Sequence, residues 1–396
     1  MSEPATTVVN NHVLHKVTSE SGYGTTLLKV ASQFYYVFSD TFIGDLSTEL
    51  EANPEILSLG VLDSEKRLLG IIERAYFFYL LGRPFGRDIL IRKSVIDITQ
   101  EAHLFPHDMN IFTAAGELGK LDVPRDRVQY YCLTNQSRQF YGMFSSIDLL
   151  SFMSQITQQD ITLAADLQNR MVKESFTESG LGIQFFGFTQ SAKGMGGDFY
   201  GVYQIGKDDW FFTLCDVSGK GVAASVITSM LWGMLRTADW RRGLGSIIQE
   251  INLALIQTFH LEKYLTGIFG IFSPETKEVR LADMGHSLGF LQRNGRIVKL
   301  EGAHLNLPVG IELNLQPKIV RLKLQENDLL TFMTDGIPEQ TNEKGDLQEE
   351  EEWIQIMNSF ILKENEPREK ILEQFSAFRG ILPQADDLSA LFVKIE

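Results

Sequence analysis

"WFFTLCDVSGKGVAASVITSMLWGMLRT", residues 210–237, decides how this chain is read. Its opening is almost entirely apolar and ends on a carboxylate, Asp216, followed by Val217. A short continuous apolar run of this kind predicts a strand, here over 210–217. Ser218-Gly219-Lys220-Gly221 turns the chain. Val226, Met230 and Met234 then recur at four-residue steps, which predicts a helix over 221–237 with one apolar stripe.

Toward the C-terminus the same grammar continues. "LGSIIQEINLALIQTF" (244–259) predicts a second helix. Strands are expected over 264–273 and 278–285, joined by "PETK". Another strand pair spans 288–300, where Asn294-Gly295 is the strongest short hairpin signal. "DLLTFMTDG" (328–336) reads as a strand. The helical patterns "EEEWIQIMNSFIL" and "REKILEQFSAF" precede a closing strand, "LSALFVKIE". Helix pairs grouped between runs of antiparallel strands imply sheet packed on sheet with helices outside, rather than a doubly wound parallel sheet.

Toward the N-terminus, "VLDSEKRLLGIIERAYFFYLL" (61–81) and "LTNQSRQFYGMFSSIDLLSFM" (133–153) align without gaps at an offset of 72 residues. Each predicts a strand, a polar turn, a second strand near a glycine (Gly70, Gly142) and a helix start. This is the pattern of a duplicated module packed on its own copy. Residues 145–176 hold neither Pro nor Gly. Leu149, Leu150, Met153, Ile156, Leu163, Ala164, Leu167 and Met171 fall mostly at three- and four-residue steps. One long amphipathic helix is expected there, its seam covered by a second copy of the chain or by the chain itself.

The bulk composition narrows the partners. The chain has 396 residues with 36 basic and 51 acidic side chains, a formal charge of −15. That field repels nucleic acid and anionic membrane surfaces. Cys132 and Cys215 sit in apolar runs without metal-ligand or disulfide spacing, as reduced thiols in a cytoplasmic protein do. The N-terminus lacks the order of a signal peptide, and no run reaches the ~18 apolar residues of a membrane span. A soluble cytoplasmic protein is expected.

Four acidic positions share one setting. Asp198 follows Gly196-Gly197 in "GGDFYG", and Asp216 ends a strand before "VSGKG". Asp335 ends a strand in "TFMTDG", and Asp386-Asp387 immediately precede the last strand. Each one alone reads as a turn former or cap. Together they read as a hard-oxygen cage for Mg2+ or Mn2+. There is no Gly-x-Ser-x-Gly elbow, reactive-cysteine motif or Walker-type phosphate loop. Chemistry at a water activated by metal is what remains.

At this point the motifs resemble a family. "MGGDFYGVYQI", "WFFTLCDVSGKGVAASVITSMLWGMLRT", "FGIFSPETKEVRLADMGH", "LPVGI", "NDLLTFMTDGIPEQTNEKG" and "DDLSALFV" are similar, in order, to the metal-dependent PPM serine/threonine phosphatases of the bacterial SpoIIE/RsbU branch. The resemblance spans about residues 160–396 and includes "DITLAADLQNRM", like the segment that precedes such domains. It implies an α-β-β-α sandwich and two Mn2+ or Mg2+ ions, with Asp198 bridging them. Asp216, the Val217 carbonyl, Asp335 and Asp386 would be further ligands, Asp198 and Asp216 the catalytic pair, and Asp387 a neighbour or an alternative to Asp386. The implied substrate is a phosphoserine or phosphothreonine protein, usually a STAS-type anti-anti-sigma protein. Three departures stand out: Gly201 where an acidic residue is common, Asp283-Met284-Gly285-His286 in place of "NAGH", and the acidic run Glu349–Glu352. None removes a ligand, and His286 after its Met-Gly turn reads as structural.

The N-terminal repeat resembles a tandem CBS pair, most clearly in "GVLDSEKRLLGIIERAYFF" and "LGRPFGRDILIRKSVIDI". Such pairs often bind adenine nucleotides. "GMFSSID" supplies Ser145 and Asp148 at the positions that would meet phosphate and ribose, whereas the first copy has Glu73 and Tyr76. The expected architecture is therefore α+β: a CBS-like regulatory domain (1–148), a linker helix able to form a dimer coiled coil (149–178) and an α-β-β-α phosphatase domain (179–396). A homodimeric signalling phosphatase is the leading expectation. A catalytically silent module that docks a STAS-type partner is the alternative.

Overall fold

The computed structural model describes residues 12–18, 24–120, 128–192, 194–300, 306–363 and 367–396. The chain divides into two compact units, Met1–Gln159 and Asp160–Glu396. No helix among the described residues is long and apolar enough to cross a membrane.

The first unit carries β1 (His15–Lys16), β2 (Tyr35–Phe38), α1 (Ile43–Ala52), β3 (Ser58–Leu62), β4 (Leu68–Glu73), α2 (Arg74–Leu81) and α3 (Gly86–Leu90). Then come β5 (His103–Pro106), α4 (Ile111–Leu118), β6 (Tyr130–Thr134), β7 (Phe140–Ser145) and the start of α5 (Ser146–Met171). The duplication is explicit in the pairing. β2 runs parallel to β3, which pairs antiparallel with β4. β5 runs parallel to β6, which pairs antiparallel with β7. The second hairpin repeats the first at the 72-residue offset, down to a register slip after Val61 in one and after Leu133 in the other. Each copy has its own apolar core, and Leu62, Leu68 and Ile71 of the first join Cys132, Phe140 and Met143 of the second in a shared cluster. A β-α-β-β-α module with one hydrophobic face left over buries that face on its twin.

Helix α5 ends at Met171, five residues short of the span the periodicity predicts, and the division between units falls within it. The reason lies in "SFTESG": Ser175–Gly180 forms an edge strand, β8, on β9 (Ile183–Gln190), and the Phe176 ring stacks on Tyr200 with centroids 5.1 Å apart.

The second unit continues with β10 (Asp198–Ile205), β11 (Asp209–Val217), α6 (Val222–Thr237), α7 (Leu244–Phe259), β12 (Leu265–Ser273) and β13 (Glu278–Met284). After these come β14 (Gly289–Arg293), β15 (Arg296–Lys299), β16 (Val320–Lys323), β17 (Leu329–Met333), α8 (Glu350–Lys363), α9 (Pro367–Arg379) and β18 (Leu388–Ile395). Two antiparallel sheets result, in the orders β10-β11-β12-β13-β16 and β15-β14-β17-β18-β9-β8. The Asn-Gly signal is met: Arg293 pairs with Arg296, and Asn294 and Gly295 take φ of 51° and 77°.

Four layers follow from burial. Leu391, Val393 and Ile395 of β18 enter the main core with Phe212, Phe269 and residues of α6 and α7, while Leu388, Ala390 and Phe392 enter a second core with Trp353 of α8 and Phe375 of α9. The period of two in β18 thus faces one sheet and one helix layer alternately. Phe212 stacks on Phe332 between the sheets at 5.9 Å. The packing of sheet on sheet with helices outside, expected from the element order, is the observed one.

Candidate metal centre

The sandwich places strand ends of both sheets beside each other. Asp198 opens β10 and Asp216 lies one residue from the end of β11, and the two are Cα partners in the ladder. From the other sheet, Asp335 follows β17 and Asp386 precedes β18, strands that pair antiparallel. Thr334 ties the sheets together: its hydroxyl donates to Asp198 Oδ2 at 2.8 Å, its amide donates to the Ser389 carbonyl, and its Oγ1 accepts from the Ser389 amide.

The electrostatics are those of crowded like charge. Burial, then Asp216 and Asp387, hold the Asp198 carboxyl well above the usual carboxylate range, against hydrogen bonds from Ser389 and Thr334. Burial, then Asp335, Asp386 and Asp387, push Asp216 up to about 7, with Lys220 opposing. Burial, then Glu339 and Asp386, raise Asp335. Neighbouring carboxylates that oppose one another's ionisation are relieved by a cation.

Backbone fits closely around these groups. A Cβ on Gly197 would lie 2.9 Å from the Val217 carbonyl oxygen, so only glycine admits that carbonyl, the expected fifth ligand. A Cβ on Gly336 would lie 1.9 Å from the Asp387 carbonyl, which fixes glycine after Asp335. Asp387 is buried and holds the loop before β10 at both ends, accepting from the Ala192 amide at 2.9 Å and the Gly197 amide at 2.7 Å. Asp386 is turned outward instead, with its Oδ2 2.6 Å from the Lys220 ammonium. The two adjacent aspartates therefore have different work. His286 is buried with Nε2 2.8 Å from the Met333 carbonyl, and burial lowers its pKa, so the neutral ring donates there and braces the end of β17.

Gln168 of α5 was not anticipated from sequence. Its Nε2 donates to the Gly196 carbonyl at 2.7 Å and to Thr228 Oγ1 at 2.9 Å, and its Oε1 accepts from the Gly196 amide at 3.1 Å. The available signal was a glutamine flanked by apolar steps in "DLQNRM", where a buried amide needs partners.

The donor set of Asp198, Asp216, Asp335, Asp386 and the Val217 carbonyl is all oxygen and carries four negative charges, the chemistry that Mg2+ and Mn2+ select. Among the described residues no three His, Cys, Asp or Glu side chains are gathered closely enough to hold an ion as they stand. The set fits such a cation by chemistry and by its opposed charges, with side-chain movement required.

In the first unit, Ser145 and Asp148 are spent on each other. Asp148 Oδ2 accepts from the Ser145 amide and hydroxyl, both at 2.7 Å, and from the Ser32 hydroxyl, while the Asp148 amide donates to Ser145 Oγ. This is a capping box for α5.

Residues 206–396 match the family model described as Stage II sporulation protein E (SpoIIE). Phosphoserine phosphatase RsbU of Bacillus subtilis (strain 168) is 23% identical over 212 residues, 52% of this chain and 62% of the relative. Phosphoserine phosphatase RsbP of the same organism is 22% identical over 191 residues, 47% of this chain and 46% of the relative. The chain thus spans between 46% and 62% of the length of these relatives. Among solved structures, the SiaA-PP2C domain of Pseudomonas aeruginosa superposes with a TM-score of 0.53 at 16% identity, covering 62% of this chain and 99% of that domain. That likeness gives the second unit a PP2C-type fold, and the family-model match falls within the same unit.

Proposed function

We propose that the second unit is a metal-dependent protein phosphatase acting on phosphoserine or phosphothreonine, with Mn2+ or Mg2+ held by Asp198, Asp216, the Val217 carbonyl, Asp335 and Asp386. The observation that carries this reading is the approach of Asp198 and Asp216 across one ladder to the strand ends that bear Asp335 and Asp386. When bound, two divalent cations supply Lewis acidity toward a phosphoryl oxygen and an attacking water. The chain's own residues do the rest. Thr334 fixes the rotamer of Asp198, Asp387 and Gln168 hold the backbone that leads to it, and burial of Asp198 keeps bulk water from screening its charge.

The relatives named as phosphoserine phosphatases support phosphoserine as the group hydrolysed, and a STAS-type anti-anti-sigma protein that carries it is our specific choice. The duplicated first unit is proposed to be a CBS-like pair that regulates the catalytic unit through α5. Exposed Ile147, Leu150, Leu163 and Leu167 on that helix support a second copy of the chain as its cover, hence a homodimer. Because Ser145 and Asp148 are engaged in the cap, they give an adenine nucleotide no free carboxylate oxygen at Oδ2.

The test is release of phosphate from a phosphoserine-bearing STAS-type protein by the full chain, with and without Mn2+. Mn2+-dependent release supports the reading. Binding of the phosphoprotein without turnover would favour the silent docking module.

A further inference from the structure

We propose that Lys220 is a built-in competitor for the divalent cation, its ammonium holding Asp386 until a metal displaces it; this rests on the metal reading above. Lys220 lies in the turn between β11 and α6, three residues beyond Val217. Its Nζ is 2.6 Å from Asp386 Oδ2 and also donates to the Ala385 carbonyl at 2.9 Å. One ammonium therefore joins the two strand ends, at β11 and before β18, that each give a proposed ligand.

The flanking backbone holds this arrangement in place. Gly219 and Gly221 take φ of 95° and 74°, a conformation that other residues adopt only with strain, so the turn presents Lys220 from a fixed base. The lysine is 44% exposed, and nothing in its burial obliges the stem to fold back. What draws it is charge. Asp386 meets it directly, and the charges of Asp216, Asp335 and Asp387 lie near enough to act on it. A carboxylate oxygen that accepts from an ammonium is not free for a divalent ion, and the ammonium also repels the ion. An exposed pair of this kind is weak, so the exchange is reversible and sets a threshold of metal concentration rather than a block.

The nearby Lys263 gives the control. Its Nζ bonds the Ser218 carbonyl at 3.1 Å, in the same turn but on no carboxylate in that bond. Removing it subtracts the same charge from the neighbourhood without releasing Asp386.

Mn2+ dissociation constants of the full chain, measured by electron paramagnetic resonance of free Mn2+ at fixed ionic strength, test the proposal. Lys220→Met should tighten Mn2+ by about fivefold, the upper end for an exposed ion pair. Lys220→Arg should stay near wild type, and Lys263→Met should change affinity by less than about twofold. In an Asp386→Asn background the gain from Lys220→Met should vanish. An unchanged or weaker Kd in Lys220→Met, or an equal gain in Lys263→Met or in the Asp386→Asn background, overturns the proposal while leaving the metal reading intact. Absence of Mn2+ binding in every variant, wild type included, overturns the metal reading and this inference with it.

Discussion

Gln168 grips Gly196 from both sides, donating to its carbonyl at 2.7 Å and accepting from its amide at 3.1 Å. Two residues later the chain reaches Asp198, so a side chain on α5 determines where the most buried acidic ligand of the proposed centre begins. Gln168→Ala leaves the Gly196 amide and carbonyl without this partner in a buried setting, at a cost of about 1–3 kcal/mol. Lower thermal stability is expected, together with Mn2+ affinity reduced by about tenfold as the loop loosens. Gln168→Glu keeps one acceptor and loses the donor, so it should fall between. Calorimetric unfolding and Mn2+ titration of the three proteins check the order; equal Mn2+ affinity in all three would show that the grip does not act on the centre.

Crowded carboxylates make the metal-free protein sensitive to pH in a specific direction. A carboxyl group harder to ionise in the folded chain than in the unfolded one favours the fold while protonated and opposes it once charged. Asp216, raised from 3.8 to about 7, therefore contributes most below its unfolded value, and that contribution is lost as pH rises toward 7. Asp198 and Asp335 shift in the same direction and add to the trend. Melting temperature in the presence of EDTA should fall between pH 4 and pH 7 relative to Asp216→Asn. Saturating Mn2+ should flatten the difference. A wild-type curve parallel to that of Asp216→Asn would remove the like-charge account.

Gly336 is the tightest glycine of the centre, since a Cβ there would lie 1.9 Å from the Asp387 carbonyl. Gly336→Ala must push apart β17 and β18 at the ends that carry Asp335 and Asp386. Destabilisation of about 2–4 kcal/mol is expected, in the range of overpacked buried sites. A Gly345→Ala control, in a loop where a Cβ meets nothing within 4 Å but φ is 85°, should lose only about 1 kcal/mol. Chemical denaturation of both variants measures the contrast, and equal losses would mean that contact with the Asp387 carbonyl does not set the requirement at Gly336.

Much of this was legible because it is written in local pattern. The β11–turn–α6 unit, the Asn294-Gly295 hairpin and the 72-residue duplication each depend on periodicity or turn chemistry within a short window. The four acidic positions stand out the same way, as carboxylates at strand ends near Gly, Ser or another Asp. What escaped depends on tertiary pairing. The edge strand β8 has the polar composition of a loop and exists because β9 supplies partners and Tyr200 a surface for Phe176. Asp386 and Asp387 look alike in sequence, yet one faces Lys220 and the other anchors two backbone amides, a division set by which loop packs on which side. Ser145 and Asp148 carry the spacing of a capping box as well as that of a binding motif, and the hydrogen bonds show the cap.

Asp335→Asn separates function from stability at a single atom. In the unfolded chain this carboxyl ionises freely, whereas in the fold burial and the charges of Glu339 and Asp386 oppose its ionisation. The neutral amide is nearly the same size and removes that opposition, so the metal-free variant should melt at the same temperature as wild type or higher at pH 7. The same change takes a negative oxygen from the proposed cation site and replaces it with a weaker ligand. Mn2+ should bind more weakly, and kcat/KM on a phosphoserine protein should drop by at least about 100-fold. A stable variant without turnover is the signature of a residue placed for chemistry, since a turn former lost to mutation lowers stability and leaves catalysis in proportion to the folded fraction. Paired melting curves and phosphate-release assays decide between these, and full turnover in a well-folded Asp335→Asn protein would remove Asp335 from the centre.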